Sequence, residues 1–325
     1  MSNLITSASG VVYRTTPETG SKQWTIERYD SRGRDRERLS SYGHKPTILD
    51  MSGGLLRGDL RGISSARQSE LFEQSVTANE FKSRFTIGFE IEKNSFYRGA
   101  MKTHPLFCGF ERDSSCGVEA VTNTMPLVYS GKLRDRFHQF CYENRHIIDD
   151  QFSPSNRGGC GGHIGLGYKV NGSSVSGQTI GDNVRKYAGI MYALYQKRLK
   201  DQYVGTSDLR MTDGVYGQKY RPLNVKSGYV EFRIPSRVRS VAQMMHRYDL
   251  MMELMHTAMV RQDSYRRFLT RVRPIVERMY GRNEQKVEKV MSDALHFQNY
   301  IMTGDTAPEI ELAITSAYIN SRGWR

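Results

Sequence analysis

Arg84-Phe-Thr-Ile-Gly-Phe-Glu-Ile-Glu-Lys93 alternates with a period of two. Phe85, Ile87, Phe89 and Ile91 fall on one side of an extended chain. Thr86, Gly88, Glu90 and Glu92 fall on the other, because successive side chains of a strand point to opposite faces. The spacing predicts a half-buried strand with neighbouring carboxylates on its polar face. In Gly162-His-Ile-Gly-Leu-Gly-Tyr168, His163, Gly165 and Gly167 lie opposite Ile164, Leu166 and Tyr168. In Tyr229-Val-Glu-Phe-Arg-Ile-Pro235, Glu231 and Arg233 lie opposite Val230, Phe232 and Ile234. Gly117–Asn123 alternates less regularly and would put Glu119 and Val121 on one face.

Helical spacing of apolar residues fills the intervals. It predicts helices over about 131–149, about 182–200 and about 241–260, then about 262–280 and about 283–300, with Pro274 as a kink or break. Strands, then helices, then strands again point to an α+β fold, an antiparallel sheet backed by helices. Residues 1–80 read as a partly irregular N-terminal extension, with short strand-like pieces at Val11–Tyr13 and Trp24–Ile26. Residues 81–325 read as the main domain, with a helical C-terminal part from about 240. The six methionines from Met244 to Met259 are core filler at helical spacing.

The chain has 325 residues, 38% hydrophobic and 25% charged, which excludes collagen-like, low-complexity and fully disordered chains. Its mean hydropathy is −0.59. No apolar run approaches the length of a membrane span, and residues 1–30 hold no secretory h-region. The expectation is a soluble, cytoplasmic protein. Cys108, Cys116, Cys141 and Cys160 form no C-x-x-C pair and read as reduced thiols, a Cys108–Cys116 bridge being the alternative. The formal net charge is +13, which invites a nucleic-acid partner. However, Glu27–Arg38 nets only +1, and the excess lies between Arg261 and Lys286, with eight basic residues against three acidic ones. Those residues sit in helical segments, where a solvated basic face is the ordinary reading.

If the strands join one sheet, its polar side gathers Glu90, Glu92, Glu119, His163, Glu231 and Arg233. Taken singly, each has an ordinary structural explanation: a solvent-facing pair, a surface ion pair, a structural histidine. Together, their charges repel unless cations sit among them. Carboxylates with one imidazole suit Mg²⁺ or Mn²⁺, and an arginine beside such ions suits phosphate oxygens. The Gly-rich stretch Arg157–Gly167 would let backbone approach a nucleotide. There is no G-x-x-x-x-G-K-[ST] and no G-x-G-x-x-G, so the site is neither a P-loop nor a Rossmann crevice.

The order of segments is more specific than any one of them. Gly88-Phe-Glu-Ile-Glu92, Asp113-Ser-Ser-Cys-Gly-Val-Glu119, Gly159-Cys-Gly-Gly-His163, Arg221-Pro-Leu-Asn224 and Val230-Glu-Phe-Arg233 together resemble the amidoligase family. That family consists of carboxylate–amine ligases with a glutamine-synthetase-like fold, found in phages and bacterial gene clusters. The resemblance spans about 81–260. It implies a sheet with a polar catalytic face, divalent metal held by Glu90, Glu92, Glu119, His163 and Glu231, and nucleotide phosphates met by His163, Arg221 and Arg233. Arg221 would neutralise the transferred phosphoryl group. The implied reaction uses ATP with Mg²⁺ or Mn²⁺ to convert a carboxylate to an acyl phosphate, which an amine then attacks. Peptides, amino acids and cell-wall fragments are the candidate substrates, in the host cytoplasm if the gene is a phage's. Two positions depart from the family pattern: Gly165 replaces a second His, and Ser114 replaces a Gly. The competing reading is a basic phage structural or nucleic-acid-binding protein that uses the fold without catalysis.

Overall fold

The fold is described from a computed structural model covering residues 3–6, 12–17, 24–29, 37–42, 85–96, 106–113, 116–155, 160–170, 173–200, 209–211, 221–281 and 283–305. Near the N-terminus, β1 (Asn3–Thr6), β2 (Val12–Pro17), β3 (Trp24–Tyr29) and β4 (Glu37–Tyr42) form an antiparallel meander in chain order. The strand-like pieces read from the sequence fall on β2 and β3. β1, with Leu4 and Ile5 adjacent, and the mostly polar β4 carry no apolar alternation and gave no such signal. The irregular chain expected after Trp24–Ile26 is broken by β4, and the rest of the N-terminal extension, from residue 43 to residue 80, lies outside the described residues.

The second sheet is built around β5 (Phe85–Lys93). Its other strands are β6 (Phe107–Asp113), β7 (Gly117–Thr122), β8 (Met125–Leu127), β9 (Ile164–Val170), β10 (Ser173–Ser174), β11 (Leu223–Val225) and β12 (Tyr229–Phe232). The order is β11-β12-β9-β5-β7-β6, with β8 beside β5 and β10 beside β9, and every pairing is antiparallel. The α+β class read from the alternation is therefore what the chain adopts. Phe85, Ile87, Phe89 and Ile91 are all buried, so one face of β5 belongs to the core.

Helices pack on that face and on one another. They are α1 (Lys132–Glu143), α2 (Arg145–Ile148), α3 (Gly177–Val184), α4 (Gly189–Leu194), α5 (Val241–His256), α6 (Tyr265–Met279) and α7 (Glu284–Thr303). Phe137 of α1 stacks on Phe89 of β5 with centroids 6.0 Å apart and on Tyr248 of α5 at 4.8 Å. Met244, Met251 and Met255 are fully buried on α5, as expected of core filler.

The helical segments differ from the sequence reading in three places. The first breaks at Asn144, whose side-chain amide donates to Phe140 O at 2.8 Å and competes with the helical ladder. The second starts earlier, at Ser176, which caps Thr179 N–H. It is then interrupted by a tight turn at Arg185–Tyr187. Gln298 of α7 explains the interruption: its Oε1 accepts Gly189 N–H at 2.9 Å and its Nε2 donates to Arg185 O at 3.2 Å. A side chain far along the sequence thus takes up backbone groups at the break. Finally, α6 runs through Pro274 without ending.

The basic stretch is helical, as read, and much of its charge is spent internally. Arg271 bonds Glu253 and Asp263, Arg273 bonds Glu277 and Glu288, and Arg278 bonds Asp249. Among the described residues, no helix is long and apolar enough to cross a membrane.

The aromatic stack should carry much of the contact between the sheet and its helices. Phe137→Ala is expected to destabilise the protein by about 3–5 kcal/mol in chemical denaturation. A loss under about 1 kcal/mol, the scale of a surface substitution, would contradict this packing.

Candidate metal centre

The polar face of the second sheet is assembled by register. Glu90 of β5 stands opposite Val121 of β7, and Glu92 stands opposite Glu119. On the other side, the Glu90 N–H donates to His163 O at 3.0 Å, setting His163 beside β5 just before β9. Glu231 of β12 pairs with Gly165 of β9 and with Asn224 of β11. Directly opposed residues share a face, so chain segments far apart in sequence deliver their acids to one place.

At its centre is the His163 ring. Nδ1 lies 2.9 Å from Glu90 Oε2 and 3.8 Å from Glu231 Oε1, and Nε2 lies 3.5 Å from Glu92 Oε1. One ligand atom each from Glu90, His163 and Glu231 falls within 4.8 Å of the others. Glu92, Glu119, His163, Glu231 and Arg233 are buried and Glu90 is half-buried. Arg233 Nη1 bonds Glu231 Oε1 at 2.5 Å, and Asn224 Nδ2 donates to Glu231 Oε2 at 3.3 Å. Arg233 Nε and Asn224 Oδ1 are buried without a hydrogen-bond partner. Arg221 is buried beside β11, and Arg233 N–H donates to Pro222 O at 2.9 Å.

Arg198 and Arg247, which the sequence did not single out, shape the approach to His163 through two glycines that it did. Gly161 N–H donates to Glu92 Oε2. A Cβ at Gly161 would stand 3.0 Å from both Arg198 Nη2 and His163 Nε2, so the absence of a side chain lets the buried Arg198 come up to the ring. On the other side of the chain, a Cβ at Gly162 would meet Arg247 Nη1 and Ser236 O, each at 2.6 Å. Arg247 is fully buried, with Nη2 3.1 Å from Arg237 O. Lys93, one residue past Glu92, points into the core and donates to Ile148 O, Asp150 Oδ1 and Val238 O at 2.7–2.9 Å. Burial pushes its ammonium below the usual lysine range, and Asp150 opposes that shift.

A cleft of about 280 Å³ runs along the same face and ends at Glu90 and Glu231. Gly88, Gly165 and Gly167 line it, with Thr86, Lys169 and Tyr229 around them. Gly165, where the resemblance leads one to expect a histidine, pairs with Gly88, so the lack of side chains on adjacent strands makes the trough. The Tyr229 ring flanks it, 3.6 Å from where a Cβ at Gly165 would stand. The expected glycine approach at Arg157–Gly159 and the turn residues Ser114 and Ser115 lie outside the described residues, as does the side chain of Asp113.

The donor set fits a hard divalent cation. The hydrogen bond of the ring joins Nδ1 to Glu90 Oε2 at 2.9 Å; a cation among Glu90, His163 and Glu231 would take the place of that proton and leave Nε2 facing Glu92, 3.5 Å away. Metal-binding histidines are commonly oriented by a carboxylate in this way.

No protein-family model matches the chain, and no curated protein matches it. Among solved structures, one titled "Apo GmaS without ligand" aligns over 93% of this chain and 91% of that chain, at 10% identity and a TM-score of 0.35. That likeness is too distant to carry a functional argument.

Burial pushes the Glu92 carboxyl above its usual range, against the pull of His163, the Gly161 N–H and Arg198. A carboxyl raised on folding contributes stability that is fully present below its unfolded value, near 4.5. That contribution is lost as the pH rises through the folded value. Glu92→Gln keeps an acceptor for Gly161 and removes the charge. In chelator, the variant is expected to melt above the wild type at pH 7, with the gap closing toward pH 4. A variant that is less stable at both pH values would contradict the desolvated-carboxylate account.

Proposed function

We propose that this protein is an ATP- and divalent-cation-dependent carboxylate–amine ligase of glutamine-synthetase-like fold, forming an amide through an acyl phosphate. One observation carries the reading: Glu90, His163 and Glu231, from separate chain segments, converge within 4.8 Å beside Arg233 and at the end of a cleft. Glu90, His163 and Glu231 would hold one cation, and Glu92 and Glu119 would offer carboxylates to a second. Ions bound there would neutralise phosphate oxygens.

The residues of the chain divide the remaining work. The trough along Gly88, Gly165 and Gly167 admits a flat base with the Tyr229 ring at its side, the arrangement that favours stacking. The triphosphate then points toward Glu90 and Glu231. Arg233 offers its unpartnered Nε–H to phosphate oxygen, and Arg221 lies on the adjoining segment. A carboxylate oxygen of the substrate attacks the γ-phosphorus and ADP leaves. The amine attacks the acyl carbon, loses a proton, and phosphate leaves. Preorganised positive charge around the phosphoryl group lowers both barriers.

The substituted centre tests this reading. Glu231→Gln is expected to weaken Mn²⁺ binding by at least about tenfold in calorimetry and to abolish cation-dependent ATP binding, with an unchanged circular dichroism spectrum. Normal ATP binding in the variant would overturn the assignment. The cleft is tested separately by Gly165→Leu, since a Cβ there meets only ordinary contacts. ATP should bind about tenfold or more weakly, the scale of one lost stacking contact, while Mn²⁺ affinity is kept. Unchanged ATP affinity would remove the nucleotide from this cleft.

A further inference from the structure

A buried cysteine stands just before each of two segments that enter the acidic centre. Cys116 directly precedes β7, which carries Glu119. Cys160 directly precedes Gly161, whose N–H holds Glu92. Both are free thiols and both are buried. Cys160 Sγ lies 3.9 Å from Cys116 O and 3.8 Å from Asn94 Oδ1, and the Cys116 thiol donates to Val118 O at 3.4 Å. The neighbouring Cys116 thiol, with Arg237 and Lys93 adding positive charge, holds the Cys160 thiol below its usual range, against burial and the Glu92 carboxylate, a direction that favours a thiolate. Cys160 is thus a neighbour of Cys116 from 44 positions away in the sequence, and the side chain of Cys108 lies outside the described residues. Cys141, the other free thiol described, is buried at a different place, against Met244 Sδ at 3.9 Å.

We propose that Cys116 and Cys160 form a redox-active dithiol whose closure to a disulfide weakens cation binding at the adjacent centre. A peroxide supplies the oxidant. The Cys160 thiolate attacks one oxygen of hydrogen peroxide, the O–O bond breaks, and the products are a sulfenic acid and a hydroxide, which takes up the proton lost by the thiol and becomes water. The Cys116 sulfur then attacks the Cys160 sulfur, the S–O bond breaks, and a second water leaves. The pair loses two electrons and two protons, and the peroxide is reduced. A bonded pair of sulfurs lies near 2.05 Å, so closure draws the Cys116 and Cys160 backbones together. Gly161 moves with Cys160, which pulls its N–H from Glu92 and shifts the support of His163.

The effect on the cation rests on the metal-centre reading; the disulfide does not. Purified full-length protein is treated with hydrogen peroxide in chelator, desalted and digested with trypsin. The sequence separates the thiols: Asp113–Lys132 holds Cys116, Gly158–Lys169 holds Cys160 and Thr103–Arg112 holds Cys108. The expected product is a cross-link between Asp113–Lys132 and Gly158–Lys169 that dithiothreitol reverses. The oxidised protein should bind Mn²⁺ at least about tenfold more weakly, with recovery on reduction. Cys116→Ser and Cys160→Ser should each abolish the cross-link and leave Mn²⁺ affinity insensitive to peroxide, which separates the dithiol from methionine oxidation. No cross-link, or one between Cys108 and Cys116, would overturn the proposal. A Cys116–Cys160 link with unchanged Mn²⁺ affinity would overturn its coupling to the centre. Reduced protein that binds no Mn²⁺ would fail the metal-centre reading alone, because the cross-link is read independently.

Discussion

The imidazole of His163 stands among three carboxylates, and that contact constrains much of the architecture around it. Glu90, Glu92 and Glu231 approach one small ring, and Glu119 faces Glu92 across the strand pair. Carboxylates this close repel one another, more strongly where water is scarce. Gly161 N–H, Arg198 and Arg233 supply compensation from the protein. A cation between Glu90 and Glu231 would supply more, and one ligand atom each from Glu90, His163 and Glu231 lies within 4.8 Å of the others.

Holding such a cluster requires rigid support beneath it. The alternation of β5 does two jobs at once: its apolar face is packed by α1 and α5 through the Phe89–Phe137–Tyr248 stack, and its polar face carries the acids. Lys93 ends the strand by pinning it to the carbonyls of Ile148 and Val238. Arg247 sits against Gly162 and joins the segment before β9 to the segment after β12. Both side chains are charged and fully buried, which is costly unless their bonds are kept. Their position, Lys93 next to Glu92 and Arg247 against Gly162, relates that cost to the placement of His163.

Period-two alternation made β5, β9 and β12 legible, because the polar residues of each strand had to share a face. The convergence of Glu90, His163 and Glu231 followed once those strands joined one sheet. Arg198 and Arg247 were not legible, because each matters through a glycine more than thirty residues away in sequence. Nor did local spacing reveal the break between α3 and α4, which depends on Gln298 of a helix about a hundred residues on. Pro274 illustrates the opposite case: a strong local signal for a break, overridden in a helix whose Phe268, Leu269, Val272, Ile275 and Val276 are all buried. The place of Gly165 became clear only with its register. As a motif position it was a missing histidine; paired with Gly88 it is part of the floor of a cleft.

The central claim is that the convergent acids and His163 hold a cation that meets nucleotide phosphate. Diffraction from crystals grown with Mn²⁺ and a non-hydrolysable ATP analogue, measured for anomalous scattering, tests it most directly. The account predicts an anomalous peak bounded by Glu90, His163 and Glu231, with a phosphate oxygen on the ion and the base in the glycine trough. A peak elsewhere, or a triad free of Mn²⁺ with nucleotide bound, would contradict it.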